Sequence, residues 1–299
     1  MQKRESNLDN SLKILVKSSI WVFVGIILSK ILGYTYRIIV ARYYGPEVYG
    51  LLVLSLTIIG WFALFSLLGF DSGVLRYLSL YSAKKDEKKA SYIVKFSLTL
   101  LLITGIVAGI LLFFFSDIIA EKIFSNPPLS IFLKLFSLTI PLTSLKTVFF
   151  PLMQVYGKSG WVLFASKILD PFIKVVALAF LIFLGVNSIT VPLSFLTATV
   201  IVALFAYLFC RISFKQFFKI NPKKNKQLVK EMFSYSWPLV FFTLSMFLFY
   251  QEDSFMIGIL RNVKDVGFYN AAVPISHLLM TSVSLFSFMF FPIITKQYA

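Results

Sequence analysis

Roughly eight apolar stretches, each about twenty residues long, take up most of this chain and leave only short segments between them. A helix rises about 1.5 Å per residue, so ~20 residues cross the ~30 Å hydrocarbon core of a bilayer once. Lipid offers no hydrogen bonds to the backbone, so a span must satisfy its own amides as a helix or belong to a closed barrel. The stretches are too long and too evenly apolar for ~10-residue alternating barrel strands. The sequence therefore predicts an all-α integral membrane protein. Its expected spans are 14–36, 48–70, 92–115, 129–151, 161–184, 190–210, 235–260 and 267–294. Composition agrees: 58% of residues are hydrophobic and the mean hydropathy is +0.84.

Net charge is +16, and its placement matters more than its size. With the N-terminus taken as cytoplasmic, twenty-one of the 29 Lys and Arg fall in or beside inside loops and six in or beside outside loops. Cytoplasmic loops carry the excess Lys/Arg, so this orientation fits and its reverse does not. Basic loops of this kind suit an anionic lipid surface, and no zinc pattern or soluble reader domain points to nucleic acid. The single cysteine, Cys210, excludes an intrachain disulfide framework. There is no Gly-rich phosphate loop, histidine pair, Cys/His metal cluster or Ser-His nucleophile motif, so no cofactor and no enzyme activity is expected. The outside loops are too short for the catalytic domain of a membrane polymerase or transferase.

The basic stretch 211–234 divides the chain into a six-span lobe (1–210) and the first two spans of a second lobe (235–299). A repeat supports this division. Glu47-Val48-Tyr49-Gly50 after the first span corresponds to Lys264-Asp265-Val266-Gly267 after the seventh, at an offset of 217 residues between the glycines. Parallel repeats of this kind recur in transporters.

Charges inside a membrane are costly, and each is a functional hypothesis with a structural alternative. Lys30, Tyr34 and Arg37 share a helix face at i, i+4 and i+7, where the cations either line a cavity or snorkel to the surface. Lys167, Asp170 and Lys174 share another face beside Pro171. There they form a self-neutralised pair or a cavity lining with a surplus lysine. Glu252 and Asp253 make a polar step in the seventh span that the repeat places at the depth of Arg37. They either pair with Arg37 as a gate, bind a coupling proton or Na⁺, or form a static ion pair. His277 is the sole histidine and reads chiefly as a packing residue.

The segment Arg42-Tyr43-Tyr44-Gly45-Pro46-Glu47-Val48-Tyr49-Gly50 resembles the Arg-x-x-Gly-Pro-Glu-x-Tyr-Gly motif of the polysaccharide biosynthesis membrane proteins. These are the O-antigen and lipid-linked oligosaccharide flippases of the multidrug/oligosaccharidyl-lipid/polysaccharide exporter superfamily. Gln154-Val155-Tyr156-Gly157-Lys158 is similar to the end of that family's fourth helix, and Asp253 to an acidic position in its seventh. The resemblance implies a two-lobed bundle of twelve or fourteen helices, of which this chain would hold about eight. It implies alternating-access transport of a polyprenyl-(pyro)phosphate-linked oligosaccharide in the cytoplasmic membrane. Lys30, Arg37, Lys167 and Lys174 would bind the anionic headgroup, with Glu252, Asp253 and Asp170 for gating or ion coupling. Its partners would be the lipid-linked glycan, membrane lipids and glycan-assembly enzymes. The alternative within the superfamily is a multidrug or small-cation exporter, which a cavity rich in Lys and Arg disfavours.

Overall fold

A computed structural model describes residues 24–220, 224–274 and 276 of the chain. Every regular element among them is helical. Among the described residues six helices are long and apolar enough to cross a membrane: 24–43, 45–67, 87–123, 128–155, 190–213 and 226–260. The fifth expected span is present but broken, and most of the eighth lies outside the described residues, as do His277 and Lys296.

The first span, α1 (Val24–Tyr43), and the second, α2 (Gly45–Leu67), meet at a turn centred on Tyr44. Gly45 adopts φ +87° and Pro46 sits in the first turn of α2. A glycine accepts that backbone angle without strain, and a proline there loses no helical hydrogen bond. The sequence reading ended the first span at Tyr36 and began the second at Val48. In the structure both helices run to the turn. Arg37 therefore lies seven residues, or about 10 Å, inside a helix rather than at its end.

The second span is discontinuous. Leu68 and Gly69 both take left-handed angles, φ 51° and 70°, before α3 (Phe70–Ala83) resumes. The break leaves carbonyls without helical partners in a region where water is scarce. Thr104 on α4 (Glu87–Ile118) answers one of them, its hydroxyl donating to Ser66 O at 2.7 Å. The fourth span is likewise built of α5 (Pro128–Ser137) and α6 (Thr139–Val155). The fifth joins α7 (Ser159–Leu163) through a π-helical turn, Phe164–Leu169, to α8 (Asp170–Phe183). The sixth is α9 (Thr190–Ser213).

The stretch read as a basic linker is mostly helical. A short α10 (Lys215–Lys219) tucks Phe217 into the interior. Ser91 of α4 donates to Phe217 O at 2.7 Å, and the Lys95 ammonium donates to Ile220 O at 2.7 Å. The seventh span, α11 (Lys226–Leu260), starts nine residues before the expected Tyr235. Its start is set by Asn225, whose side chain accepts from the Leu228 amide at 3.0 Å. The last described helix, α12, covers 263–274.

Buried side chains form two clusters, one toward each end of the bundle. One gathers Tyr36, Val40, Tyr49, Leu129, Phe132, Phe136 and Val263 near the Gly45 turn. The other gathers Phe70, Val74, Phe149, Phe217, Leu228 and Met232 at the end that carries the basic segments. The long α11 runs antiparallel to α2 and α3, packed against both. Glycines 60, 69 and 73 lie on that seam, where an added Cβ would meet Phe247, Ser236 and Ser236 respectively, and just beyond its end a Cβ on Gly50 would meet Val263 of α12. In lipid, where apolar surfaces gain nothing from leaving water, close backbone approach through small residues is what holds helices together.

Candidate functional site

The sequence-predicted residues fall into two groups, and the structure adds a member to one of them. Asp170 and Lys174 form a direct ion pair at 2.6 Å, with only 19% and 17% of their side chains exposed. The Lys174 ammonium also sits 3.7 Å from the centroid of the Phe195 ring on α9. A lysine held by a carboxylate and an aromatic face is well compensated for leaving water. The π turn just before Asp170 adds a residue to the helical register. It leaves Lys167 exposed instead of stacking it beside the pair. π-Bulges inside helices often mark functional sites, and this one sits beside three charged residues and Pro171.

The added member is Lys146. The sequence reading counted it as a cytoplasmic loop-end charge, yet it stands in the middle of α6, half-buried, within electrostatic reach of Asp170 and Lys174. No ion pair is formed by it among the described residues. The signal that points to it is a charge at the centre of an apolar run. Together Lys146, Asp170 and Lys174 leave one positive charge in surplus among themselves.

The second group lies on α1. Tyr34 and Arg37 line one cavity of about 310 Å³ with Ile38, Ala41, Tyr49, Ala271 and Pro274, as their shared helix face predicts. Arg37 and Tyr49 face each other across this cavity closely enough to interact electrostatically. The Tyr49 hydroxyl donates to Asn270 O on α12 at 3.2 Å. Lys30 is half-buried two turns away on the same helix. The groups are linked through α9: the Tyr36 hydroxyl lies 3.0 Å from Ser194 Oγ and donates to Val191 O, and the next residue is the Phe195 that carries Lys174.

The expected pairing of Arg37 with Glu252 or Asp253 is not formed. Asp253 instead accepts from the Tyr269 hydroxyl at 2.6 Å, and Glu252 is exposed without an ion pair among the described residues. Beside Arg37 the cavity wall is made by Ala271 and Pro274 of α12 and not by the middle of α11. The neighbouring Gln251 accepts from Thr57 at 3.2 Å. Among the described residues no three His, Cys, Asp or Glu side chains gather as a metal site requires.

At the other end of the seam, Tyr77, Gln227, Lys230, Glu231, Ser234 and Tyr235 enclose an open polar cavity of about 750 Å³. Tyr77 and Tyr235 meet edge to face at 6.1 Å, and the Arg76 guanidinium lies 4.0 Å over the Tyr235 ring.

In sequence, residues 15–297 match the family described as polysaccharide biosynthesis protein. No curated protein matches the chain. Among solved structures, a MOP superfamily transporter from Pyrococcus furiosus superposes with a TM-score of 0.65 at 17% identity, over 77% of this chain and 52% of its own. It is described as having a binding pocket of reverse polarity that suggests a different function. An inward-facing multidrug resistance MATE family transporter superposes with a TM-score of 0.66 at 15% identity, over 86% of this chain and 61% of its own. An outward-facing one gives 0.62 at 16% identity, over 76% and 52%. The chain thus spans between half and two thirds of the length of these structures.

Proposed function

Because the chain belongs to the polysaccharide biosynthesis protein family of the multidrug/oligosaccharidyl-lipid/polysaccharide exporter superfamily, we propose that it moves a polyprenyl-(pyro)phosphate-linked oligosaccharide across the cytoplasmic membrane. The N-terminus and the basic segments face the cytoplasm in this reading, on the charge bias of the loops. Transport proceeds by rocking the two lobes about the seam between α2–α3 and α11. The lipid tail stays in the bilayer while the headgroup crosses through the protein.

One observation carries the choice of cargo: the first lobe holds a surplus of cations inside the membrane. Lys146 and Lys174 share a single carboxylate, Asp170, and Arg37 lines a separate cavity within the bundle. A phosphate or pyrophosphate compensates such a surplus, with arginine offering a bidentate fork and lysine a point charge. An organic cation would add to it. Exposed Lys167 serves in this reading at the mouth of the same path. Asp170 holds Lys174 in place while Lys146 remains open to the ligand.

The second reading, export of small cations, draws on Glu252, the exposed carboxylate of the seventh span. The two are separated in proteoliposomes holding the complete transporter. A fluorescent polyprenyl-pyrophosphate glycan should be flipped, and Lys146→Gln and Arg37→Gln should each slow flipping at least about ten-fold, the effect of losing about 1.4 kcal/mol of headgroup stabilisation. Unchanged flipping in both variants removes the cationic path. Efflux of ethidium without glycan flipping, lost in Glu252→Gln, establishes the second reading.

A further inference from the structure

The 217-residue repeat and the packing of the lobes coincide at one point. Pro46 and Gly50 on α2 correspond by that offset to Val263 and Gly267 on α12. A Cβ built on Gly50 would land on the carbonyl oxygen of Val263, and a Cβ built on Gly267 would land on the carbonyl oxygen of Pro46. The same two atoms would lie 3.1 Å from the Gly267 nitrogen and 3.2 Å from the Gly50 nitrogen respectively. Each glycine therefore touches the repeat mate of the residue that its own mate touches. That reciprocity is the signature of an isologous contact about a two-fold axis, here a pseudo-two-fold within one chain.

We infer that the Gly50–Gly267 crossing is the parting seal of the transport path at the Gly45 end: the two backbones close it here and separate in the opposite access state. The inference rests on the transport reading given above, but its test does not require the cargo to be known. Three features support it. The crossing admits no side chain, not even a methyl group, so nothing passes between the helices while they touch. No hydrogen bond or ion pair directly joins the backbones of 46–50 and 263–267 among the described residues; dispersion and weak Cα–H···O contacts hold them there, with the Tyr49 hydroxyl's bond to Asn270 O at 3.2 Å one turn away. A contact that is tight and yet lightly held is what a surface that must repeatedly separate requires. Finally, the cavity lined by Tyr34, Arg37 and Tyr49 lies beside the crossing, Tyr49 being the residue before Gly50 and Ala271 and Pro274 lying on the same helix as Gly267.

The opposing explanation is a static spacer, in which glycines let two permanently packed helices approach. The experiment uses the full transporter with its cysteine Cys210 replaced by alanine and Tyr34→Cys as reporter, labelled in vesicles with a membrane-impermeant maleimide. Gly50→Ala and Gly267→Ala should each raise the labelling rate at least ten-fold, to the same extent. The double variant should add little, because either methyl alone parts the helices. Gly160→Ala, at a glycine with nothing within 4 Å of its Cβ among the described residues, should leave the rate unchanged. Unchanged labelling in both variants, with a lowered melting temperature, overturns the seal in favour of the spacer. A rise in only one variant overturns the reciprocal contact.

If neither alanine variant folds, Tyr49→Cys with Asn270→Cys, both glycines retained, decides the matter. Joining the two with a short cleavable bis-maleimide should arrest movement of the fluorescent glycan lipid or of ethidium, whichever the protein carries, and cleavage should restore it. Undiminished movement after complete cross-linking overturns the proposal. Arrest of ethidium but no movement of the glycan lipid keeps the seal and discards the flippase reading.

Discussion

The two ends of the lobe seam are built on opposite principles. At the Gly45 end, α2 meets α12 backbone against backbone, with glycine on both sides and the Tyr49–Asn270 hydrogen bond one turn from the crossing. At the basic end, α3 meets α11 through long side chains, Tyr77, Tyr235, Arg76 and Glu231, and leaves about 750 Å³ of open, polar space. The first surface is closed by the absence of side chains, the second propped by their presence. A difference of this kind gives the helix seam one tight and one loose end. It also means that substitutions along a single helix face should have very unequal effects, depending on what an added atom meets.

The largest stability effect along the seam is expected at Gly69. Its φ of +70° already disfavours any side chain, and its Cβ would strike the Ser236 backbone oxygen, which cannot swing aside. Gly69→Ala should cost about 2–4 kcal/mol, combining the left-handed penalty with displacement of α11. It should appear as a melting temperature several degrees lower in detergent. A wild-type melting curve would mean that α11 is not held against the break in the second span.

Gly73 comes next. There the added atom meets only the Ser236 hydroxyl, a side-chain atom that can rotate. That hydroxyl is buried without a hydrogen-bond partner among the described residues, so it has little to lose. Gly73→Ala should cost about 1 kcal/mol, in the ordinary range for point changes, and Ser236→Ala should recover most of it. Additive losses in the double variant would show that the two residues do not share the contact.

How much of this was legible in the sequence depends on the scale of the signal. Span number and fold class come from hydropathy summed over about twenty residues, which tertiary packing does not alter. The repeat was readable as an offset between Gly50 and Gly267, but not as a contact, because nothing in either segment says that they meet. The break at Leu68–Gly69 was not readable, since Leu at a left-handed angle is held there by neighbours, the Ser66 carbonyl being answered by Thr104 from another helix. The π turn before Asp170 defeated the expected Lys167–Asp170–Lys174 face, which assumed a constant 3.6-residue period. Lys146 was passed over because a charge tally assigns each lysine to the nearer loop, whereas its meaning comes from the Asp170–Lys174 pair on the next span.

That pair offers a reference point away from the seam. Lys174→Ala leaves Asp170 mostly buried without its cation and should destabilise the bundle by about 3–5 kcal/mol. Lys146 is positioned to move in as a substitute, and the loss should then be smaller. Comparing Lys174→Ala with Lys174→Ala/Lys146→Ala in thermal melts measures that substitution directly. If the double variant melts where the single one does, Lys146 does not reach Asp170 and belongs to a separate site.

The smallest effect is expected at the loose end. Arg76→Ala removes a guanidinium stacked over Tyr235, a contact worth about 0.5–1 kcal/mol at an exposed site. The side chain is exposed, and the Tyr77–Tyr235 edge-to-face contact survives the change. The melting temperature should therefore shift by no more than a degree or two. Arg76→Lys should recover only part of even this, because a compact ammonium does not stack as a planar guanidinium does. A loss as large as that of Gly69→Ala would break the contrast. It would mean that the basic end is held as firmly as the glycine end, and that the open cavity there is rigid rather than free to widen as the lobes rock.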